Sequence, residues 1–400
     1  MKITGIKVRK HTAEFTPKYQ GEARSIGPLD IYEEYATDIR DKGCGYGGKE
    51  EVGTIWSYFL YITTDEGLEG VHGPIDTNSQ ILVAVQNITH HILGRDPMEN
   101  RLIWDIMSRF DRHASTGVML MAISAVDNAL WDLKGKMLNL PVYKLLGGSR
   151  KRFRPYISTL GFSVEPQAAA KRAVMLRDEL GIQAQKWFFR YGPSDGVAGM
   201  RKNLDMAFAL REVLGHDYEL GFDCWMGWTI SYAKMMFKEL EKVNPMWVEE
   251  VLRPNMLDGY EKLKAETSIP LSAGEHLYTR QQVNTYLQKH IFDVYQSDPE
   301  WCGGITESIK IADMCEVYGV RFIPHGHAHL PAMHVVASMP PDVCPYGEVL
   351  LTLLDKKTHF YKHNILDKEG FLNVSDEAGL GGDPDPAKVI RTEELNGFTF

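Results

Sequence analysis

Apolar residues in the second half of the chain gather into short runs separated by longer amphipathic stretches. The runs are RPYISTL (154–160), AQKWFF (184–189), YELGFD (218–223), MWVEE (246–250), IPLSAGE (269–275), IFDVYQSD (291–298), VRFIPH (320–325) and YGE (346–348). Runs of this length, with helix-patterned segments such as PQAAAKRAVMLRDEL (166–180) between them, predict parallel strands buried on both faces. Eight strands with seven intervening helices predict an α/β fold, a modified (β/α)7β TIM-type barrel, rather than an open dinucleotide-binding sheet. No GxGxxG follows any strand.

The first 125 residues read differently. MKITGIKVRKHTAEF alternates like an edge or hairpin strand, and IWSYFLYITTDEGLEGV (55–71) reads as a hairpin about Asp65-Glu66-Gly67. The polar, Gly-rich stretch from Tyr19 to Gly48 is longer than an ordinary connection, which marks it as a functional loop. STGVMLMAISAVDNALWDLKGKMLNLPVYKLLGG (115–148) has helical apolar spacing, ends at Gly147-Gly148, and is expected to bridge two domains. The tail carries the short strand candidates FLNV and GFTF and is expected to return to the first domain. The expected division is an N-terminal α+β capping domain (1–125), a barrel (126–355) and a returning C-terminal segment (356–400).

Composition narrows the function. With 44 basic against 53 acidic residues the net charge is −9, and no basic block is present, which argues against nucleic acid as a partner. No apolar run is long enough to span a bilayer, and the N-terminus lacks the pattern of a signal peptide. Cys44, Cys224, Cys302, Cys315 and Cys344 are scattered without CxxC pairing, so a reduced, cytoplasmic setting is expected.

Side-chain chemistry is concentrated at the ends of the predicted strands. Asp223, Glu249, Glu275, Asp298, His325 and Glu348 follow one another at gaps of 26, 26, 23, 27 and 23 residues, close to one strand-helix unit each. In a parallel barrel all six converge on one mouth. Asp223, Glu249 and Glu275 form a hard oxygen donor set that suits Mg²⁺, since three buried carboxylates without a cation cost several kcal/mol each. Alternation along a strand puts Glu249 and Glu250 on opposite sides and leaves open which one faces the axis.

Asp298 is placed to orient His325 as a general base, ahead of its neighbours His327 and His329. Lys186 and Arg190 share strand parity at the mouth, Glu348 as a neutral acid could donate to a developing enolate, and Trp225 would wall the pocket. For a lone Asp, Glu or His, a solvated loop or packing role is the commoner explanation; the shared spacing is what argues otherwise.

Together, DNALWDLKGKMLNLPVYKLLGG (127–148), FDCWMGW (222–228), WVEE (247–250), SAGEH (272–276), QSDPEWCGGITE (296–307) and IPHG (323–326) resemble the enolase superfamily. Within it they resemble the acid-sugar dehydratases of the mandelate racemase branch, of L-rhamnonate type. The resemblance implies Mg²⁺ on Asp223, Glu249 and Glu275, choosing Glu249 over its neighbour. It implies His325 as base, Asp298 as its orienter and Glu348 as hydrogen-bond donor to the intermediate.

Where many racemases of that branch carry KxK, this chain has Lys186-Trp187-Phe188, and Trp225 stands where some sugar-acid dehydratases have His. Both departures favour a single-base syn elimination over C2 epimerisation with Lys186 as second base. A catalytically silent metal-binding relative is the rival from another class. The expected substrate is a sugar acid such as L-rhamnonate or L-lyxonate, the expected assembly a homo-oligomer between dimer and octamer. Arg24, Tyr35 and Arg40 from the capping loop, with Arg190, Trp225 and His327, are the expected substrate contacts.

Overall fold

The computed structural model describes residues 1–19, 21–32, 35, 53–75, 78–326 and 329–395. Three antiparallel strands open the chain: β1 (Ile3–Phe15), β2 (Gly53–Thr64) and β3 (Glu69–Ile75). They are followed by helices α1 (Asn78–Ile92), α2 (Asn100–Arg109) and α3 (Gly117–Leu138), and by the short α4 (Val142–Leu145). Helix α3 straddles the expected domain boundary. Its length is buried on nearly every side, with Ala122, Ile123, Val126, Ala129, Leu130 and Leu133 in the core shared with β2 and the first helices. The helix stops at Leu138, earlier than the expected Gly147-Gly148, because Asn139 takes a left-handed conformation (φ 53°) and Pro141 cannot continue the ladder.

Alternation of strand and helix then begins. After β4 (Arg152–Phe153) come β5 (Pro155–Ser158), α5 (Pro166–Leu180), β6 (Ala184–Phe188), α6 (Gly196–Leu214) and β7 (Glu219–Asp223). Next are α7 (Ile230–Leu240), β8 (Val248–Glu249), α8 (Leu257–Lys264), β9 (Leu271–Ala273), α9 (Arg280–Leu287) and β10 (Val294–Tyr295). The unit closes with α10 (Ile305–Tyr318), β11 (Arg321–Phe322), α11 (His329–Ser338), β12 (Gly347–Leu350) and α12 (Leu351–Thr358). The eight parallel strands stand in the order β11-β10-β9-β8-β7-β6-β5-β12, one curled sheet whose last strand pairs with its first, as the apolar runs predict. Strands β5, β6 and β12 are buried at every residue, which is why those runs carry no polar-face alternation.

The tail departs from expectation in detail. FLNV contributes β13 (Leu372–Asn373), which pairs with β4 beside the barrel and not with the first domain. The strand that does return is β14 (Val389–Glu394), antiparallel to β1; the expected GFTF lies outside the described residues. Asp132 of α3 joins these parts, accepting from Val71 N (2.8 Å), Leu380 N (2.7 Å) and the Lys136 ammonium (2.8 Å). Among the described residues, no helix is long and apolar enough to cross a membrane.

Candidate active site

Strand register explains the first cluster. Asp223 ends β7 and pairs with Glu249, which ends β8, so both side chains leave their strands at the same height. Lys186, on β6, pairs with Gly221 one layer below and extends upward between them. Its Nζ lies 3.0 Å from Asp223 Oδ2, 3.0 Å from Glu348 Oε1, and is hydrogen-bonded to Glu249 Oε1. The other oxygen of Glu249 accepts from Trp247 Nε1 (2.9 Å) and Gln296 Nε2 (2.8 Å). Lys186 is 1% exposed. Burial alone would lower its pKa, but Glu249, Glu348 and Asp223 raise it well above the usual lysine value.

Glu250 corrects the parity expectation. It lies just beyond β8 with φ 44°, so alternation no longer governs it. Glu249 turns into the barrel beside Lys186, while Glu250 faces the mouth with Glu275 and His276, each offering a ligand atom within 4.8 Å of the others. Both glutamates therefore join one acidic cluster. Burial first, then repulsion from neighbouring carboxylates, raises the pKa of Glu250 well above the carboxylate range. Burial likewise lifts Glu249, to about 8, against the pull of Lys186.

At the far side of the mouth, His325 follows β11 and Asp298 follows β10. His325 Nδ1 is 2.8 Å from Asp298 Oδ2, and Asp298 Oδ1 accepts from Glu300 N at 2.7 Å. A carboxylate on Nδ1 fixes that nitrogen as the donor, which leaves Nε2 toward the cavity, 3.3 Å from Glu275 Oε2. Burial disfavours the imidazolium, yet the carboxylates of Glu275, Glu348 and Asp298 outweigh it and raise His325 to about 10.

Glu348 Oε2 accepts from Gly326 N at 2.8 Å, an approach open only because residue 326 lacks a side chain: a Cβ there would meet Glu348 O at 2.6 Å. Burial would raise its pKa, but Lys186, His325 and that N–H hold it down to about 2. Glu348 thus accepts from Gly326 and serves as a counterion of Lys186.

Several of these groups face one cavity of ≈ 180 Å³, whereas Glu249, Asp298 and Glu348 lie behind its wall. Lys186, Asp223, Glu250, Glu275, His276 and His325 line its polar side, and Leu160, Phe188, Trp225 and Trp301 much of its apolar side. A larger cavity of ≈ 540 Å³ lies among Tyr361, His363, Asp376 and Glu377, away from these groups, and no catalytic constellation faces it.

Trp225 and Lys186 are thus where the sequence predicts, at the pocket. Arg24 does not line it: its Nη1 reaches both oxygens of the buried Asp30 at 3.0 Å. Tyr35 is 40% exposed beside Tyr32, and Arg190 does not line the cavity. Arg40 and His327 lie outside the described residues. Sequence reasoning missed Glu250, His276 and Trp301 as wall residues. Trp301 lies between two imidazoles, stacked on His276 (centroids 5.7 Å, 7°) and 5.1 Å from His325. The signal was available in the GEH and WCGG segments, where both residues adjoin groups already singled out.

The donor chemistry fits a hard divalent cation. Asp223 and Glu249 meet at the Lys186 ammonium, Glu250 and Glu275 lie beside His276, and an all-oxygen carboxylate set is what Mg²⁺ prefers.

Comparison with known proteins agrees with this geometry. Residues 168–388 match the family described as "Enolase C-terminal domain-like", and residues 52–147 match "Mandelate racemase / muconate lactonizing enzyme, N-terminal domain". The chain is 32% identical over 307 residues to the arabinonate dehydratase of Saccharolobus solfataricus, covering 75% of this chain and 80% of that one. Its fold is similar to the 3,6-anhydro-D-galactonate cycloisomerase of Zobellia galactanivorans (27% identity, TM-score 0.77, 97% and 98% of the two chains). It is also similar to the rhamnonate dehydratase of Gibberella zeae complexed with Mg (25% identity, TM-score 0.79, 97% and 95%).

Proposed function

Since the chain belongs to the mandelate racemase/muconate lactonizing enzyme family of enolase-like proteins, we propose that it is a Mg²⁺-dependent hydro-lyase that dehydrates a five- or six-carbon sugar acid to its 2-keto-3-deoxy acid. The single observation that carries the reaction type is the pairing of one oriented imidazole with a lysine held as an ammonium. Removal of a proton alpha to a carboxylate needs a base, and His325 Nε2 is the one aimed at the cavity; a cation on Glu275 would offset the largest of the charges that raise its pKa. Epimerisation needs a second base on the opposite face, and the Lys186 amine is taken up by Asp223, Glu249 and Glu348.

Asp223, Glu249 and Glu275 would hold the metal ion. Support for Glu249 comes from Asp223 and Glu249 already converging on a common cationic point, the Lys186 ammonium. The proximity of Glu250 to Glu275 and His276 supports a second ligand set, which metal-affinity measurements on the two glutamate variants separate. When bound, the ion supplies positive charge opposite the substrate carboxylate, the contribution that brings a weakly acidic carbon acid within reach of an imidazole.

The chain's own groups perform the remaining work. His325 removes the C2 proton while Asp298 holds the ring and stabilises its positive charge. Lys186, at the cavity wall, places positive charge near the oxygen on which enolate charge develops. The His325 imidazolium then protonates the leaving 3-OH on the same face, water departs, and the enol ketonises to the 2-keto-3-deoxy acid. Trp225 and Trp301 exclude water from one side of the cavity.

The arabinonate dehydratase relative supports an aldonate substrate, and L-rhamnonate and L-lyxonate remain the first members of the panel to try. Screening diastereomeric C5 and C6 aldonates with Mg²⁺ for a semicarbazide-reactive product tests the reading; a panel that yields none, with protein that binds Mg²⁺, overturns it.

A further inference from the structure

We propose that Asn128, on α3, the helix that straddles the two domains, is a positioning residue for the His325–Asp298 pair, acting through the loop that joins β10 to α10. Asp298 opens that loop, and its own contacts make a tight turn: its main-chain oxygen accepts from Trp301 N (2.9 Å) and Cys302 N (2.8 Å). Within the barrel, His325 N donates to Gln296 O (3.3 Å) and Gln296 N to Ala273 O (3.1 Å), which ties the start of the loop to its neighbouring strands. Beyond Asp298 the loop is held by contacts from α2 and α3.

Asn128 Nδ2 donates to Pro299 O at 3.1 Å, one residue from Asp298, and Asn128 Oδ1 accepts from Ile305 N at 3.1 Å at the other end of the loop. One carboxamide thus clamps both ends. An aspartate there could only accept, and an apolar residue could do neither. Ser124, one turn earlier on the helix, accepts from Gly303 N at 2.8 Å, and Trp104 of α2 donates to Gly303 O at 2.7 Å. Asp127 accepts from Thr306 N (2.9 Å) and Thr306 Oγ1 (2.7 Å). The fit is close: Gly304 has φ 81°, and a Cβ on it would lie 2.4 Å from Asp127 Oδ2.

Ser124, Asp127 and Asn128 are all 0% exposed. Buried polar side chains are costly unless fully bonded; Ser124 Oγ also donates to Leu120 O on its own helix (2.9 Å), and the other bonds of the three go to the β10–α10 loop and the first turn of α10. The loop also carries Trp301, the ring against His325. A shift of Pro299 therefore moves both the carboxylate on Nδ1 and the aromatic wall of the imidazole.

The kinetic consequences rest on the proposed dehydration, whereas the hydrogen bond itself can be read without turnover. In protein labelled with ¹⁵N-histidine, the low-field proton of His325 Nδ1–H is assigned by its loss in His325→Asn and Asp298→Asn. In Asn128→Ala we expect that resonance to move upfield or broaden. Where wild type turns over a sugar acid, we expect kcat to fall about 10- to 100-fold with KM within about threefold, the size seen when outer partners of a catalytic ligand are lost. The double variant Asn128→Ala/Asp298→Asn is expected to be no slower than Asp298→Asn alone.

A folded Asn128→Ala with an unchanged resonance overturns the proposal, as does a double variant whose losses multiply. If Asn128→Ala does not fold, Asn128→Asp and Ser124→Ala are read by the same criteria. Failure of wild type to dehydrate any sugar acid would defeat the proposed reaction and leave this test standing on the resonance.

Discussion

His325 Nδ1 lies 2.8 Å from Asp298 Oδ2, and it is this contact that turns the other imidazole nitrogen toward the cavity shared with Glu275 and Lys186. Asp298 is fully buried and His325 nearly so, so the pair is rigid and dry, as a single base that both takes and returns a proton requires.

Removing that base should abolish turnover without removing the site. His325→Asn is expected to lower kcat by about three to four orders of magnitude, and Asp298→Asn by about two to three, at the upper end of what general acid–base groups contribute. Mg²⁺ affinity should stay within about threefold of wild type in both, since neither group is a proposed ligand. Steady-state kinetics with metal titration checks this; retained activity in His325→Asn would mean another base.

The two adjacent glutamates make separable predictions. Glu249→Gln is expected to weaken Mg²⁺ binding by more than about 100-fold and Glu250→Gln by less than about tenfold, if the carboxylate beside Lys186 is the ligand. Calorimetric titration of the two folded variants reads the difference. The reverse order would assign the metal to the Glu250, Glu275 and His276 group instead.

Lys186 stands among three buried carboxylates, so its loss leaves uncompensated charge. Lys186→Met is expected to cost about 3–5 kcal/mol of stability in chelator, the usual penalty for removing one partner of a buried ion pair. Mg²⁺ should restore much of it, because a cation then replaces the ammonium. Urea unfolding with and without the ion tests this; equal losses in both conditions would show that Lys186 does not offset the metal-site carboxylates.

A pH effect is expected away from the site. His334 accepts from Tyr143 N at Nδ1 (3.0 Å) and donates from Nε2 to Leu380 O (3.1 Å), an arrangement that suits only the neutral ring. Burial holds its pKa down to about 4. The unfolded chain therefore binds this proton first as pH falls below the ordinary histidine value near 6.5, and stability drops from there until about pH 4, by about 2 kcal/mol between pH 7 and pH 5. His334→Gln should lack that component. Parallel pH–stability curves for the two proteins would contradict it.

How much of this was legible in the sequence differs by element. The eight barrel strands were, because each is a short apolar run, six of them closed by an acidic or imidazole residue, and strand ends in such a barrel share one mouth. Glu250 was not: alternation presumes an extended backbone, and its φ of 44° breaks that premise. His276 and Trp301 escaped notice because they sit in loops after β9 and β10, where no periodicity reports direction. The Arg24–Asp30 pair was not legible since it is set by tertiary folding of the loop. The tail strand was misplaced because Val389–Glu394 is polar and mostly exposed, and only its pairing with β1 makes it a strand. Asn128, Asp127 and Ser124 stood inside a quoted segment, but their bonds to a loop some 175 residues on are invisible without the fold.

The central claim is that one imidazole carries out a dehydration. Its most direct test is turnover of the active aldonate in D₂O with Mg²⁺, followed by NMR and mass analysis of product and recovered substrate. The account predicts a 2-keto-3-deoxy acid bearing solvent deuterium at C3, formed by wild type and not by His325→Asn. Recovery of an acid that keeps its 3-OH and carries deuterium at C2 with inverted configuration, and no keto acid, would contradict it.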